Sequence, residues 1–457
     1  MSRTVAGPWL LLGWLLATAC SQRIEVLGPS AVPEPDGGGR DASAASGDED
    51  AAVVPDASQS TDDGSTPLDA SAMPDGSDGA DAAVVPTGRC SGCAPQELCA
   101  VDRCMSSLCV RSLDSHLVHT CAVRDARAYC WGDNASGQLG VGDQIDRHAP
   151  ARIGLDNDWL ALTTGEGHTC GLRAPGVLYC WGDNHVGQLG VGDTEPRSRP
   201  ERVPSNALWR AVECGGDSCC AIDQGDALHC WGDNREGKVG QPEPTGPDAV
   251  LPTRVGEERW RKVTVGQGHV CAIRDDGALY CWARNSTFEL GIGPEPIQVR
   301  GPTRVGSSND WTDVTSSQHS TCAVQLQKIF CWGIDTHHEL GGSVIDEPVD
   351  MPRMVGLDAD WASVHAGWFH TCARKLDGAL YCWGRAIEGQ LGQGSGEERV
   401  QMARRVTSDA TFTAVALGNF HTCAVSAAGA LQCWGANDTG QLGTGDTDRR
   451  YEITTIP

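Results

Sequence analysis

His370-Thr-Cys-Ala-Arg-Lys-Leu-Asp-Gly-Ala-Leu-Tyr-Cys-Trp-Gly384 decides the architecture of this 457-residue chain. Two runs of about six residues flank Asp377-Gly378, a dipeptide suited to the positive φ of a tight hairpin turn. Cys372 and Cys382 stand at matched distances from that turn. Antiparallel pairing of the two runs brings their thiols within disulfide reach.

The block recurs seven times. Cys-Trp dipeptides begin at Cys130, Cys180, Cys230, Cys281, Cys331, Cys382 and Cys433, spaced by 50 or 51 residues. Each has an upstream cysteine nine or ten residues earlier, at Cys121, Cys170, Cys220, Cys271, Cys322, Cys372 and Cys423. The hairpin reading pairs Cys121 with Cys130, Cys170 with Cys180, Cys220 with Cys230, Cys271 with Cys281, Cys322 with Cys331, Cys372 with Cys382 and Cys423 with Cys433. Eleven residues before each upstream cysteine stands a bulky apolar residue: Trp159, Trp209, Trp260, Trp311, Trp361 or Phe412, with Val110 in the first copy. A Gly-rich turn follows each Cys-Trp, as in Gly137-Gln-Leu-Gly140, and a fourth short run follows that, as in Pro352-Arg-Met-Val. Four strands per copy, repeated without an intervening amphipathic helix, predict an all-β fold, a β-propeller. Contiguous blades and a blade shared between the two ends of the repeat region are both compatible with this period.

The succession of a leading Trp, His-Thr-Cys-Ala, Leu-Tyr-Cys-Trp-Gly and Gly-Gln-Leu-Gly resembles the regulator-of-chromosome-condensation repeat, over residues 110–457. The resemblance implies a seven-bladed propeller, and the paired cysteines resemble the exported bacterial branch of that family. Copies three to five depart from the pattern, copy four most, with Ala283 and Phe288 at glycine positions. Members of the family bind other proteins through loops at one end of the ring. Its best-known member promotes nucleotide release from a small GTPase, and one bacterial member inhibits a β-lactamase. The resemblance therefore carries exchange activity and enzyme inhibition as alternatives to a binding scaffold.

His119, His168, His269, His370 and His421 precede the upstream cysteines by two residues. Equivalent residues of different blades converge only on a central channel, so one structural hydrogen bond per blade accounts for them better than a metal site. Gly140-Val-Gly142-Asp143 and its copies look like tight turns, not phosphate loops, because no helix follows them. Asn134, Asn184, Asn234, Asn285 and Asn437 are read as pins for the same turns. No motif links a nucleophile to a base, and the uniform period leaves no inserted loop to house catalysis. No cofactor, catalytic residue or metal ligand is assigned.

Residues 1–19 combine one positive charge, an apolar run too short to span a bilayer comfortably and a small-residue end, the marks of a signal peptide. Leu16-Ala17-Thr18-Ala19-Cys20 resembles a bacterial lipobox, which implies cleavage before Cys20 and a lipid anchor on it. Ser21, by the same resemblance, implies the outer membrane. Residues 20–89 are a tether of Ala, Asp, Gly, Pro and Ser; from Ser21 to Arg89 it holds 14 acids, 3 bases and no aromatic residue. Such a segment buries too little apolar surface to offset ordering its backbone and is read as a disordered stalk. Residues 90–109 hold Cys90, Cys93, Cys99, Cys104 and Cys109, read as a small disulfide knot in an exported chain. Cys214 and Cys219 are left to bridge locally in copy three.

The whole chain carries a formal charge of -25, with only four lysines. That excludes a nucleic-acid binder, which needs a basic face to displace counterions. The resulting expectation is a non-enzymatic, lipid-anchored propeller on the outer membrane. It presents one face to an unknown protein partner and uses no small-molecule cofactor. The acidic body favours a basic partner.

Overall fold

The computed structural model describes residues 110–241, 248–342, 348–394 and 397–457. Cys20, the tether and the cysteines at 90–109 lie outside the described residues. Within them, 28 strands form seven four-stranded antiparallel sheets, each in the order first, second, third, fourth along the chain. The sheets are the blades of a seven-bladed propeller. They span 110–152, 159–202, 209–254, 260–304, 311–354, 361–405 and 412–455. The first strand of each blade packs against the first strands of both neighbours, and the strand at 110–116 meets that at 412–417 to close the ring. Every blade is contiguous, and no strand is shared between the ends of the repeat region.

The central hairpin forms as its cysteines require. In blade 6, Cys372 faces Cys382, Thr371 faces Trp383 and His370 faces Gly384. Seven such pairs are disulfide-bonded, and an eighth disulfide joins Cys214 to Cys219 across neighbouring strands. Each hairpin staple closes a loop of about ten residues, which on chain-entropy grounds contributes roughly 2.7 kcal/mol.

The nine- or ten-residue cysteine spacing follows from turn length. In blades 1 and 5 the separation is nine, and Arg124 faces Arg127 while Gln325 faces Lys328 across two-residue turns. Such turns demand positive φ at both central residues. Asp125, Ala126, Leu326 and Gln327 comply, at 52°, 59°, 50° and 62°. Gln327 is exposed, so its side chain contributes little packing. Gln327→Gly is expected to raise unfolding free energy by about 1 kcal/mol by relieving left-handed strain. Denaturant titration checks this, and an unchanged or lowered midpoint would refute it.

The loops after the third strands also hold across the degenerate copies. The side-chain oxygen of Asn134 accepts from the Leu139 amide at 3.0 Å, and Asn184, Asn234, Asn285 and Asn437 repeat the contact at 2.9–3.2 Å. Asp335 supplies it in blade 5, where asparagine is missing. Ala283 and Phe288 occupy glycine positions at φ 85° and 62°, and the blade 4 turn still forms.

Candidate functional site

The signature residues of the repeat are consumed in joining blades. His119 Nε2 lies 3.1 Å from Thr169 Oγ1 of the next blade, and that hydroxyl donates to the Gln138 carbonyl at 2.8 Å. Trp181 Nε1 donates to the same carbonyl at 2.8 Å. The chain of contacts recurs as His269–Thr321, His370–Thr422 and, across the closure, His421–Thr120. His168 meets the Cys219 sulfur at 3.1 Å instead. All five histidines are buried between blades, and burial depresses each pKa to about 3. They do not converge on one another as a ligand set.

The first strands add side-chain bonds across four of the seven seams. The Asp114 carboxylate accepts from the Thr164 amide at 2.6 Å, and Thr163, Thr264 and Thr315 accept from the next blade's amides at 3.0–3.3 Å. Lys262 pairs with Asp313 on these strands. Glu213 is fully buried there, and burial, followed by the charge of Asp114, drives its pKa well above the carboxylate range.

One set of positions escapes this uniformity. The hairpins between first and second strands each turn on two central residues inside the last backbone pair: Leu117-Val118, Glu166-Gly167, Gly216-Asp217, Gln267-Gly268, Gln318-His319, Trp368-Phe369 and Asn419-Phe420. The residue opening each outer loop donates its amide to the adjacent inner turn, from Asp133 to Val118 at 3.0 Å round to Ala436 to Phe420 at 2.8 Å. Both loop sets therefore share one end of the propeller and frame one mouth of its channel. The fold demands a turn there and tolerates varied side chains.

The mouth has two unlike arcs. Blades 2 and 3 place Glu166, Asp183, Asp217 and Asp233 together. His185 Nδ1 sits 2.6 Å from Asp183 and its Nε2 3.9 Å from Asp217. Gln267 donates to Glu166 at 3.3 Å. Lys238, which replaces the repeat's glutamine, is buried with its ammonium 3.4 Å from Asp233 and bonded to the Gln267 carbonyl at 2.9 Å. Burial, then the Asp217 charge, raises the Glu166 pKa. Burial also raises that of Asp217, against the opposing charges of Lys238 and His185. Burial works against protonating His185, but the Asp183 hydrogen bond and charge prevail and hold its pKa above the usual value. Asp183, His185 and Asp217 bring their ligand-type atoms within 4.8 Å of one another, and the imidazole is satisfied there by the carboxylates. Arg235 also pairs with Asp233, at 2.7 Å, so the arc is a charged network of four carboxyl groups set against Lys238, Arg235 and His185.

Blades 6 and 7 present the opposite character. Trp368 and Phe369 stack with centroids 4.9 Å apart, and Phe420 lies 5.9 Å from each. The Arg385 guanidinium sits 5.2 Å over Phe420 and pairs with Glu388 at 2.7 Å. Leu117 of blade 1 packs against the stack. Sequence reading passed over these residues because it followed what the copies share. The signal lay in what they do not share: paired positions that change in every copy.

The Regulator of chromosome condensation (RCC1) repeat matches residues 125–172, 175–222 and 377–425. A second form of the same repeat matches 160–188, 209–238, 260–286, 361–390 and 412–441. Human WBSCR16 superposes with a TM-score of 0.66 at 20% identity, covering 72% of this chain and 94% of that one. Yeast RCC1 (Prp20), solved bound to Kap60, gives 0.64 at 20%, covering 77% and 84%. Both share the fold. The ultraviolet-B receptor UVR8 of Arabidopsis thaliana is 28% identical over 199 residues, 42% of this chain and 32% of that protein. The X-linked retinitis pigmentosa GTPase regulator homolog of Caenorhabditis elegans is 40% identical over 68 residues, 15% of this chain. The matched segments span only 5% of the Caenorhabditis protein and 32% of the receptor. With the seven-bladed fold and the repeat found along it, the chain belongs to the RCC1 repeat family.

Proposed function

We propose that this protein is a non-enzymatic, lipid-anchored component of a bacterial outer membrane, whose propeller binds another protein through the channel mouth framed by Glu166, Asp217, Trp368 and Phe420. The observation that carries the reading is the asymmetry of that mouth. Seven geometrically equivalent turns carry different pairs of side chains, sorted into an acidic arc and an aromatic arc. Buried aromatic groups beside oriented charges are the usual anchors of protein recognition. The Saccharomyces cerevisiae propeller, described with its binding properties to Gsp1p and histones, supports a protein partner in kind. The lipid anchor rests on the lipobox-like residues ending at Cys20, and export on the disulfide-rich repeats. Enzyme inhibition and nucleotide-exchange activity are forms that such binding takes in relatives, and they depend on the partner's identity.

Proximity labelling on intact cells, with the protein as bait, tests the reading. A discrete protein partner is expected, lost with Cys20→Ala. Asp217→Arg or Phe420→Ala should weaken its capture at least about tenfold, while Gln327→Gly at the opposite end leaves it unchanged. Capture that survives both mouth variants, or recovery of envelope polymer alone, would refute the assignment.

A further inference from the structure

Six of the seven seams between blades are filled by the bulky residue that opens a blade. Trp159, Trp209, Trp260, Trp311, Trp361 and Phe412 are each at most 4% exposed. The seam between blades 1 and 2 shows the full arrangement. Trp159 meets Trp181 and Tyr179 edge-on at 5.7 and 6.0 Å. The Arg173 guanidinium lies 5.6 Å over the indole, and its Nε donates to Asp158 at 2.7 Å. The seam between blades 5 and 6 repeats the scheme with Trp361, Tyr381 and Lys375, whose ammonium sits 4.9 Å over the indole and 3.1 Å from Asp360. In both, an Asp-Trp dipeptide supplies ring and carboxylate together.

At the closing seam, between blades 7 and 1, the surroundings persist and the ring is gone. Val110 takes the indole's place, while Tyr129, Trp131 and Arg124 stand where Tyr179, Trp181 and Arg173 stand one blade on. A cavity of about 220 Å³ results, lined by these residues with Leu431 and Ile456. An apolar cavity of about 150 Å³ suffices for benzene, so this one has room for a fused aromatic ring. Arg124 Nε is buried without a hydrogen-bond partner. The residue before Val110 is Cys109, where Asp158 and Asp360 precede their tryptophans, and residues 21–109 contain no aromatic side chain.

We propose that this seam binds, from outside the chain, an aromatic residue with an adjacent carboxylate, an acidic-aromatic peptide unit of the Asp-Trp type. The ring would enter the indole slot between Tyr129 and Leu431, and the carboxylate would meet the Arg124 guanidinium. The site lies at the end of the propeller opposite the mouth and does not depend on the partner proposed there.

The test titrates the full exported chain with N-acetyl-Asp-Trp-amide, N-acetyl-Asn-Trp-amide and N-acetyl-Asp-Ala-amide, read by ligand-observed saturation-transfer NMR and calorimetry. The Asp-Trp probe should bind about tenfold or more tightly than either of the others. Val110→Trp, which refills the slot, should abolish binding and raise the thermal midpoint. Arg124→Gln should leave Asp-Trp and Asn-Trp probes equal, which keeps the idea testable if Val110→Trp does not fold. Absence of binding to the unmodified protein would overturn the proposal. So would unaltered binding to Val110→Trp, or unaltered discrimination by Arg124→Gln.

Discussion

Trp131→Ala is expected to destabilise the propeller by about 3–5 kcal/mol, more than the same change at Trp332. Both indoles are fully buried, and each donates Nε1 to a carbonyl of the preceding blade, at 2.9 Å to Gln441 and 2.9 Å to Glu289. The difference lies in the seams. Trp332 packs beside a filled slot, with Trp311 at 6.3 Å. Trp131 lines the cavity left by Val110, so truncating it merges a new void with an existing one. The cost of a large-to-small change grows with the residual cavity volume. The closing seam also joins residues some 300 positions apart, through Thr120 to Gln441 and His421 and through Thr439 to the Val118 carbonyl. Trp131→Phe separates the two contributions, because it keeps much of the volume and loses the hydrogen bond, at about 1–2 kcal/mol. Denaturant unfolding with the disulfides intact measures all three variants. Equal losses for Trp131→Ala and Trp332→Ala would show that the closing seam is no weaker than the rest.

Hairpins, cysteine partners and the number of blades were legible because they are local. Cys372 and Cys382 sit ten residues apart about a turn that can be named, and the copies count themselves. The closure was not legible, since contiguous and shared blades have the same period. What the signature residues bond to was hidden for a related reason. His119 and Thr169 are fifty residues apart, in separate copies that each look self-sufficient. Lys238, Arg284 and Glu289 stand in copies that depart from the repeat pattern. They rebuild the same loop with other chemistry: Lys238 reaches Asp233, and Arg284 binds Glu289 at 2.6 Å. The mouth escaped notice because a two-residue turn places almost no demand on side-chain type. The cavity at Val110 could have been suspected from the one leading residue in seven that is not aromatic.

Acid should unfold this propeller along a curve that is shallow at first and then steep. Each signature threonine hydroxyl has a single proton, and geometry sends it to the carbonyl, as from Thr169 to Gln138 and Thr422 to Gln390. The facing imidazole must therefore donate from Nε2, which leaves Nδ1 as a bare lone pair. Nδ1 of all five histidines is buried without a partner. Protonation would place a charge and an unmet N–H inside a blade seam, so the folded pKa falls to about 3 against 6.5 when solvated. Unfolding then takes up protons between those values, and stability declines as pH drops through that window. Asp114 and Glu339 oppose this, because burial raises both to about 7, and the buried Glu213 acts in the same direction. Their stabilisation is complete below their unfolded values near 4 and is lost as pH rises through 7. From about pH 6.5 to 4.5 these carboxyls offset only part of the uptake by the five histidines; below that they no longer oppose it, and carboxylates held low, such as Asp313, where burial is outweighed by the Lys262 charge, add protons of their own. The urea midpoint should therefore decline gently from about pH 6.5 and fall sharply below pH 4.5, where at least about five protons are taken up on unfolding. His421→Gln retains an amide donor for Thr120 and cannot titrate, so it should remove about one proton from that slope. A midpoint that stays level or rises below pH 4 would mean that the imidazoles are not held neutral by the seams they join.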